Sequence, residues 1–328
     1  MGLNISVAMC TFNGMRHLGS QLESIAKQTR HPDELVVCDD GSSDSSAESV
    51  RGFARSVPFP TRLLVNDATL GSTKNFETAI SSCRGDIIAL SDQDDVWLGH
   101  KLECIERSFS RSTKIVAAFS DGELIDDDSR SLGASLWQSF SFTRREQRQF
   151  AEGHALDVLV RHPVVTGATL AFRREYLDQL APIPVRHIHD RWISFLLAAR
   201  GQFEVIPEPL IRYRQHPSQQ MGPGPLSLRG QAERAMNTTA TFYLEEIERF
   251  RDLKEKLEKN YAFFPQAAYA QELIEKKISH LEHRAGLPRS CVQRIPRVLQ
   301  EILNGGYKRY SAGWKSVVKD LAICGSLT

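Results

Sequence analysis

The chain has 328 residues, 41% of them hydrophobic and 25% charged, with a formal net charge of +1. That composition belongs to a soluble globular protein with room for one large domain or two smaller ones. The balanced charge gives no field that would favour nucleic acid. No run of 18 apolar residues predicts a membrane-spanning helix, and the first residues lack the basic stretch of a secretion signal. Cys10, Cys38, Cys83, Cys104, Cys291 and Cys324 are scattered, with no Cys-x-x-Cys pair. They predict reduced, mostly buried thiols in a cytoplasmic protein and no zinc site.

Strands and helices alternate through the first 120 residues. An apolar run at 5–9 predicts a strand. Leu18, Leu22, Ile25 and Ala26 then recur at helical spacing. Residues 35–38 form a second predicted strand and 45–53 a helix, with Ser42 to Asp44 available to cap it. Residues 62–65 are a third strand and 73–83 a helix with Phe76, Ala79 and Ile80 on one face. Residues 87–90 are the fourth strand, 97–109 a helix and 116–119 the fifth strand. This alternation predicts βαβ units and an α/β fold with a mostly parallel sheet. Beyond residue 120 the pattern loosens. A strand is expected at 167–172, a helix at 190–200, and two short strands at 203–206 and 210–214, separated by Pro207 and Pro209. Gly222-Pro223-Gly224-Pro225 is a breaker and the expected boundary. It divides the chain into 1–222, with halves of about 1–120 and 121–222, and a helical extension over 223–328. In the extension, helices are expected at 231–259 and 266–281.

The most informative stretch is Ile87 to Trp97. An apolar run ends in Asp92-Gln93-Asp94-Asp95, three carboxylates within four residues. Like charges so close call for compensation, and Mg²⁺ or Mn²⁺ suits carboxylates combined with phosphate oxygens. Two other polar turns follow early strands: Cys10-Thr11-Phe12-Asn13, and Asp39-Asp40-Gly41-Ser42-Ser43-Asp44. Strands of one parallel sheet point the same way, so the three turns share the carboxyl rim where open α/β sheets bind ligands.

These motifs, with Leu70-Gly71-Ser72-Thr73-Lys74-Asn75, Val165-Thr166-Gly167-Ala168-Thr169, His189-Asp190-Arg191-Trp192 and Tyr213-Arg214-Gln215-His216, resemble glycosyltransferase family 2. Within it they are similar to the bacterial rhamnosyltransferase-like branch. The likeness covers roughly residues 4–220. It implies a GT-A type, Rossmann-like fold, a mixed and mostly parallel sheet flanked by helices. It also implies inverting transfer from a nucleoside-diphosphate sugar to a glycan or lipid-linked acceptor, with Mn²⁺ or Mg²⁺ as cofactor. Thr11, Asn13 and Asp40 would then bind the nucleotide, and Asp40 is preferred to Asp39 because adjacent strand residues face opposite sides. Lys74 would lie near the diphosphate or be a solvated helix lysine. Asp92 would contact the ribose and Asp94 would hold the metal. Asp95 would be a third carboxylate, or cap the helix expected to start at Trp97. Asp190 would be the general base, with a helix N-cap as its plain alternative. Arg191 stands where the family more often has an aromatic. Arg214 would bind diphosphate or pair with an acid, and His216 would reach the metal or be structural. His187 and His189 read as loop residues near the base. His31, His100, His154 and His162 show no metal-ligand spacing.

Between Arg284 and Lys319 stand eight Lys or Arg and one acid, Glu301. This basic tail, with Tyr307, Tyr310 and Trp314, suggests peripheral contact with an anionic membrane or an ordinary solvated face. Two other functions fit acidic turns after parallel strands. A sugar-phosphate nucleotidyltransferase would need a glycine- and lysine-rich first turn, which Cys10 to Gly14 is not. A receiver-like signalling module would leave Asp190 and Tyr213 to His216 without a role.

Overall fold

The computed structural model describes residues 2–216, 240–288 and 290–322. β1 (Ile5–Thr11), α1 (Met15–Ala26), β2 (Glu34–Asp39), α2 (Ser46–Ala54), β3 (Thr61–Val65), α3 (Ser72–Ser82) and β4 (Ile87–Ser91) build the first half. β1, β2 and β4 are buried along their whole length, as near-continuous apolar runs in a covered parallel sheet should be. Their side chains alternate between two layers. Ile5, Val7 and Met9 pack with Leu18, Leu22 and Ile25 of α1, whereas Ala8 and Cys10 pack with Phe76, Ala79 and Ile80 of α3.

The middle of the chain departs from the expected pattern. Trp97 does not open a helix. It pairs with Ile211 in the short strand β5 (Val96–Trp97), and its N–H donates to Ser24 Oγ at 3.0 Å. α4 (Lys101–Arg111) begins four residues later. β6 (Ile115–Ile125) follows, then β7 (Ser131–Ser135), α5 (Leu136–Ser139), α6 (Arg144–Ala151), α7 (Ala155–Leu159), β8 (Leu170–Arg173), α8 (Leu177–Leu180) and α9 (His189–Arg200). The two short strands expected around Pro207 and Pro209 are one strand, β9 (Gln202–Arg214). Register shifts against β6 between Ser120 and Gly122 absorb the prolines. Gly122 is needed there, because a Cβ would lie 2.9 Å from Ile211 Cγ1.

The sheet order is β3-β2-β1-β4-β8-β6-β9-β5, with β7 beside β6. β3, β2, β1 and β4 are parallel, and β8 runs antiparallel to both β4 and β6. The carboxyl ends of β2, β1 and β4 therefore lie side by side.

The expected boundary at 222–225 and the start of the helix expected from 231 lie outside the described residues. α10 (Ala240–Lys259) and α11 (Ala267–Ala285) are not a separate lobe. Tyr243, Ile247, Phe250, Leu253 and Leu257 share one apolar cluster with Phe76, Trp192 and Phe195. α12 (Cys291–Leu303), α13 (Gly306–Tyr310) and α14 (Trp314–Ala322) follow, with a small core of Leu287, Val298, Tyr307 and Val317. Cys10, Cys38, Cys83 and Cys104 are free thiols, but Cys291 is disulfide-bonded, which corrects the expectation of thiols throughout. Among the described residues no helix is long and apolar enough to cross a membrane.

Candidate functional site

A cavity of about 300 Å³ opens over the carboxyl ends of β1, β2 and β4. Thr11, Asp40, Asp92 and Asp94 line it from the early turns. Gly167, His189, Asp190 and Arg191 face it from the later part of the chain, together with Tyr213 and His216. Six motifs, the outermost about two hundred residues apart, thus meet around one space.

Asp40 borders this cavity and Asp39 does not. The Asp39 carboxylate turns away to accept Thr11 Oγ1 at 2.7 Å and the Ser42 N–H at 2.8 Å. Asp40 accepts the backbone N–H groups of Leu70 at 2.8 Å and Gly71 at 2.9 Å, fixing the turn before α3. Asn13 is absent from the cavity wall. It has φ 47, and its Oδ1 accepts the Ser43 N–H at 2.8 Å, which fastens the first turn to the second. Lys74 is also off the wall, with Nζ 2.7 Å from Glu77 Oε2. Gln93 was not singled out from sequence, yet its amide bonds both the N–H (2.8 Å) and the C=O (3.2 Å) of Phe12. It ties the first turn to the acidic one, and a middle residue of an acidic triplet carries no sequence signal of that.

The acidic turn splits into three roles. Asp94 lies 2.8 Å from His216 Nε2, and both face the cavity. Burial, then Asp94 and Asp190, push Asp92 up to about 8. Asp95 is buried away from the cavity and caps no helix. Its Oδ1 accepts the Arg214 N–H at 2.9 Å, and burial holds its carboxyl well above the usual range. Arg214 is equally buried. Its guanidinium donates to the carbonyls of Asp94 (2.7 Å), Asp126 and Asp127 (3.0 Å each), so it braces the loop from beneath. Lys101, another residue not picked from sequence, stacks over Trp97 at 3.9 Å and donates to Ala168 O at 2.6 Å. It joins the acidic turn to the Gly167 turn.

Asp190 sits in the first turn of α9 without capping it. Its Oδ2 accepts the Gly167 N–H at 2.9 Å. Only glycine fits at 167, since a Cβ would be 2.7 Å from His189 Nε2. His189 stacks on Phe76 at 3.9 Å, with both ring nitrogens buried and without a hydrogen-bond partner among the described residues, and burial lowers its pKa. His187 is 3.2 Å from Asp252, and burial brings it down to about 3. Arg191 makes a two-pronged pair with Glu246 of α10, at 3.2 and 2.9 Å.

The residues on this wall suit a hard divalent cation. Two carboxylates and an imidazole supply oxygen and nitrogen donors, and Asp92, raised by burial and then by Asp94 and Asp190, sits among like charges that a cation would relieve. Elsewhere, His100, Cys104 and Glu208 bring ligand atoms within 4.8 Å of one another, a grouping the sequence reading missed because Glu208 comes from β9. His100 and Glu208 already bond to each other at 2.8 Å.

Comparison with known proteins gives a consistent result. An uncharacterized glycosyltransferase of Nostoc sp., alr2836, is 28% identical over 222 residues, 65% of each chain. The Escherichia coli protein WfgD, a UDP-Glc:alpha-D-GlcNAc-diphosphoundecaprenol beta-1,3-glucosyltransferase, is 32% identical over 125 residues, 38% of this chain and 48% of that one. The chain thus spans between about half and two thirds of the length of these relatives. Among solved structures, the Pyrobaculum calidifontis mannosyltransferase PcManGT, in complex with GDP-Man and Mn²⁺, superposes with TM-score 0.53 at 17% identity over 98% of this chain and 86% of that one. Staphylococcus aureus TarS 1-349, in complex with UDP-GlcNAc, gives 0.53 at 15% over 93% and 92%. These likenesses identify the architecture as the GT-A glycosyltransferase fold with a helical C-terminal region. The sequence profile of Glycosyl transferase family 2 matches residues 6–181, more than half of the chain, so the protein belongs to that family.

Proposed function

We propose that the protein is a metal-dependent, inverting hexosyltransferase. Its donor would be a nucleoside-diphosphate sugar, either dTDP-rhamnose or a UDP-sugar. Its acceptor would be a glycan or lipid-linked oligosaccharide in bacterial surface polysaccharide synthesis. One observation carries the reading: Asp190 lines the same cavity as Asp92 and Asp94 but comes from a separate element, α9. Inverting transfer needs that division, with donor charge handled on one side and the acceptor's proton on the other.

Asp40 and Thr11 flank the space for the base and ribose, and Asp92 the ribose. Asp94, with His216, would hold Mn²⁺ or Mg²⁺. Bound there, the cation would supply charge stabilisation to the departing nucleoside diphosphate. Asp190 takes the acceptor hydroxyl's proton as that oxygen bonds to the anomeric carbon and the bond from that carbon to the diphosphate breaks. The Gly167 N–H fixes Oδ2, leaving Oδ1 for the proton. Asn13 and Arg214 act by holding the turns rather than by touching the donor, and Lys74 pairs with Glu77 within α3. The rhamnosyl donor rests on motif likeness alone. The likeness to WfgD supports a UDP-sugar and a diphospholipid-linked acceptor.

The test has two steps. Nucleotide sugars are screened with Mn²⁺ or Mg²⁺ for slow donor hydrolysis, which needs no acceptor. Asp190→Asn is then compared with the parent protein. It should keep donor affinity and lose sugar transfer by at least about a hundredfold, the low end for a general base. Transfer at the parental rate would place the base elsewhere. Pyrophosphate release from a nucleoside triphosphate and a sugar phosphate would instead identify a nucleotidyltransferase.

A further inference from the structure

The basic tail does not present the residues that its sequence suggested. Arg284 and Arg294 are buried, the first paired with Asp320 at 2.7 and 2.8 Å, and Tyr307 and Tyr310 are buried beside them. What faces outward is different. Along α12, Val292, Ile295, Leu299 and Leu303 follow one another at intervals of three and four residues, so they form one stripe. All are exposed, Val292 by 75% and Leu303 by 86%. The inward face of the same helix carries Arg294, Val298 and Glu301. The helix is thus inverted relative to an ordinary surface helix, which keeps its apolar stripe inside. Trp314 and Val318 of α14 add 72% and 62% exposed apolar side chains.

Charge is sorted in the same direction. Glu301 and Asp320, the two acids between residues 285 and 322, are both buried. Arg297, Lys308, Arg309 and Lys315 are all exposed. An outer surface of large apolar side chains, an indole and cations, with no exposed acid of its own between residues 290 and 322, matches one partner chemistry. We propose that the outer face of α12 and α14 docks on an anionic phospholipid bilayer. Leu and Val enter the headgroup boundary, Trp314 sits at the interface and the cations meet lipid phosphates. This deepens the lipid-linked acceptor reading, because docking would hold the enzyme on the surface where such an acceptor lies.

The experiment uses the full chain with vesicles of phosphatidylglycerol or of phosphatidylcholine, without donor. Trp97, Trp137 and Trp192 are buried, so a blue shift of tryptophan emission on binding reports on Trp314. The expected result is sedimentation with phosphatidylglycerol vesicles, weakened by salt, with a blue shift that Trp314→Phe abolishes. Leu299→Gln/Leu303→Gln and Lys308→Gln/Lys315→Gln should each weaken partitioning by roughly tenfold or more. Both change only exposed side chains, so melting temperature and vesicle-free donor hydrolysis should stay at parental values. Absence of vesicle binding at low salt overturns the proposal even if donor hydrolysis is normal. So does a dimer that Leu299→Gln/Leu303→Gln converts to monomer without any vesicle binding, which would make this face a subunit contact. Failure of donor hydrolysis beside intact vesicle binding would instead count against the transferase reading.

Discussion

Asp94 is the carboxylate on which the metal reading depends. It borders the cavity, its side chain meets His216, and its own carbonyl is held by Arg214. Removing the carboxylate deletes a donor without unpinning the loop. Calorimetry of nucleoside diphosphate binding should show Mn²⁺-dependent affinity in the parent. Asp94→Ala should lose that part by at least about tenfold, since even outer-shell changes at metal sites cost 10–100-fold. Affinity that is equal with and without chelator would remove the metal from the site. Asp95, three residues from Asp92, behaves differently. Its partner is the backbone of β9, so Asp95→Ala should lower stability as well as activity. Sequence could not separate the two, because adjacent acids differ only in which way the turn points them.

At the scale of elements, α9 and α10 are clamped by Arg191, Glu246 and Arg249. Burial works against the Glu246 charge, but Arg191 and Arg249 outweigh it and bring its carboxyl down to about 2. A carboxyl depressed in the folded state contributes stability that is present above its unfolded value near 4.5 and is lost as pH falls toward 2. His280 acts in the same sense. Burial, with Arg284 and Lys277 adding, lowers it to about 2, so its contribution fades below its ordinary 6.5. Thermal melting should therefore drop from about pH 6.5 downward and steepen below about 4.5. Glu246→Gln should cost about 2–3 kcal/mol at pH 7, less than the roughly 3–5 for a wholly buried pair because Arg191 is partly exposed. It should also flatten the acid limb. An unchanged limb would show that the clamp is not coupled to folding. Arg191, beside the proposed base Asp190, is thus tied to the C-terminal helices through Glu246.

For the molecule as a whole, the tail is part of the core. Five large side chains of α10 lie in the cluster that also holds Phe76 and Trp192. At about 1.5–3 kcal/mol for each buried side chain, their loss is comparable with the 5–15 kcal/mol that holds a typical domain folded. A protein ending at residue 216 should lose its cooperative melt by circular dichroism and show no measurable donor binding. A sharp transition near the parental temperature would mean that the first 216 residues fold alone, as the breaker at Gly222 suggested.

The sequence by itself determined the parallel half of the sheet and its rim. β1, β2 and β4 are short apolar runs ending in polar turns, too short for a helix, and so read as buried strands. It also held the motifs for Asp40, Asp92, Asp94, Asp190 and His216, which converge on one cavity. Tertiary structure decided what pattern cannot encode. Whether Asn13 and Arg214 meet the cavity or brace it depends on partners 30 to 120 residues away. Pro207 and Pro209 read as breakers, yet bulges in β9 at those positions let the strand continue. Trp97 looked helical until β9 offered it a strand to pair with. The basic tail turned over for the same reason. Arg284 and Tyr307 met the buried Asp320, while the aliphatic stripe and the other cations were left facing out. Periodicity fixes which residues share a face, but only the packed neighbours decide which face turns inward.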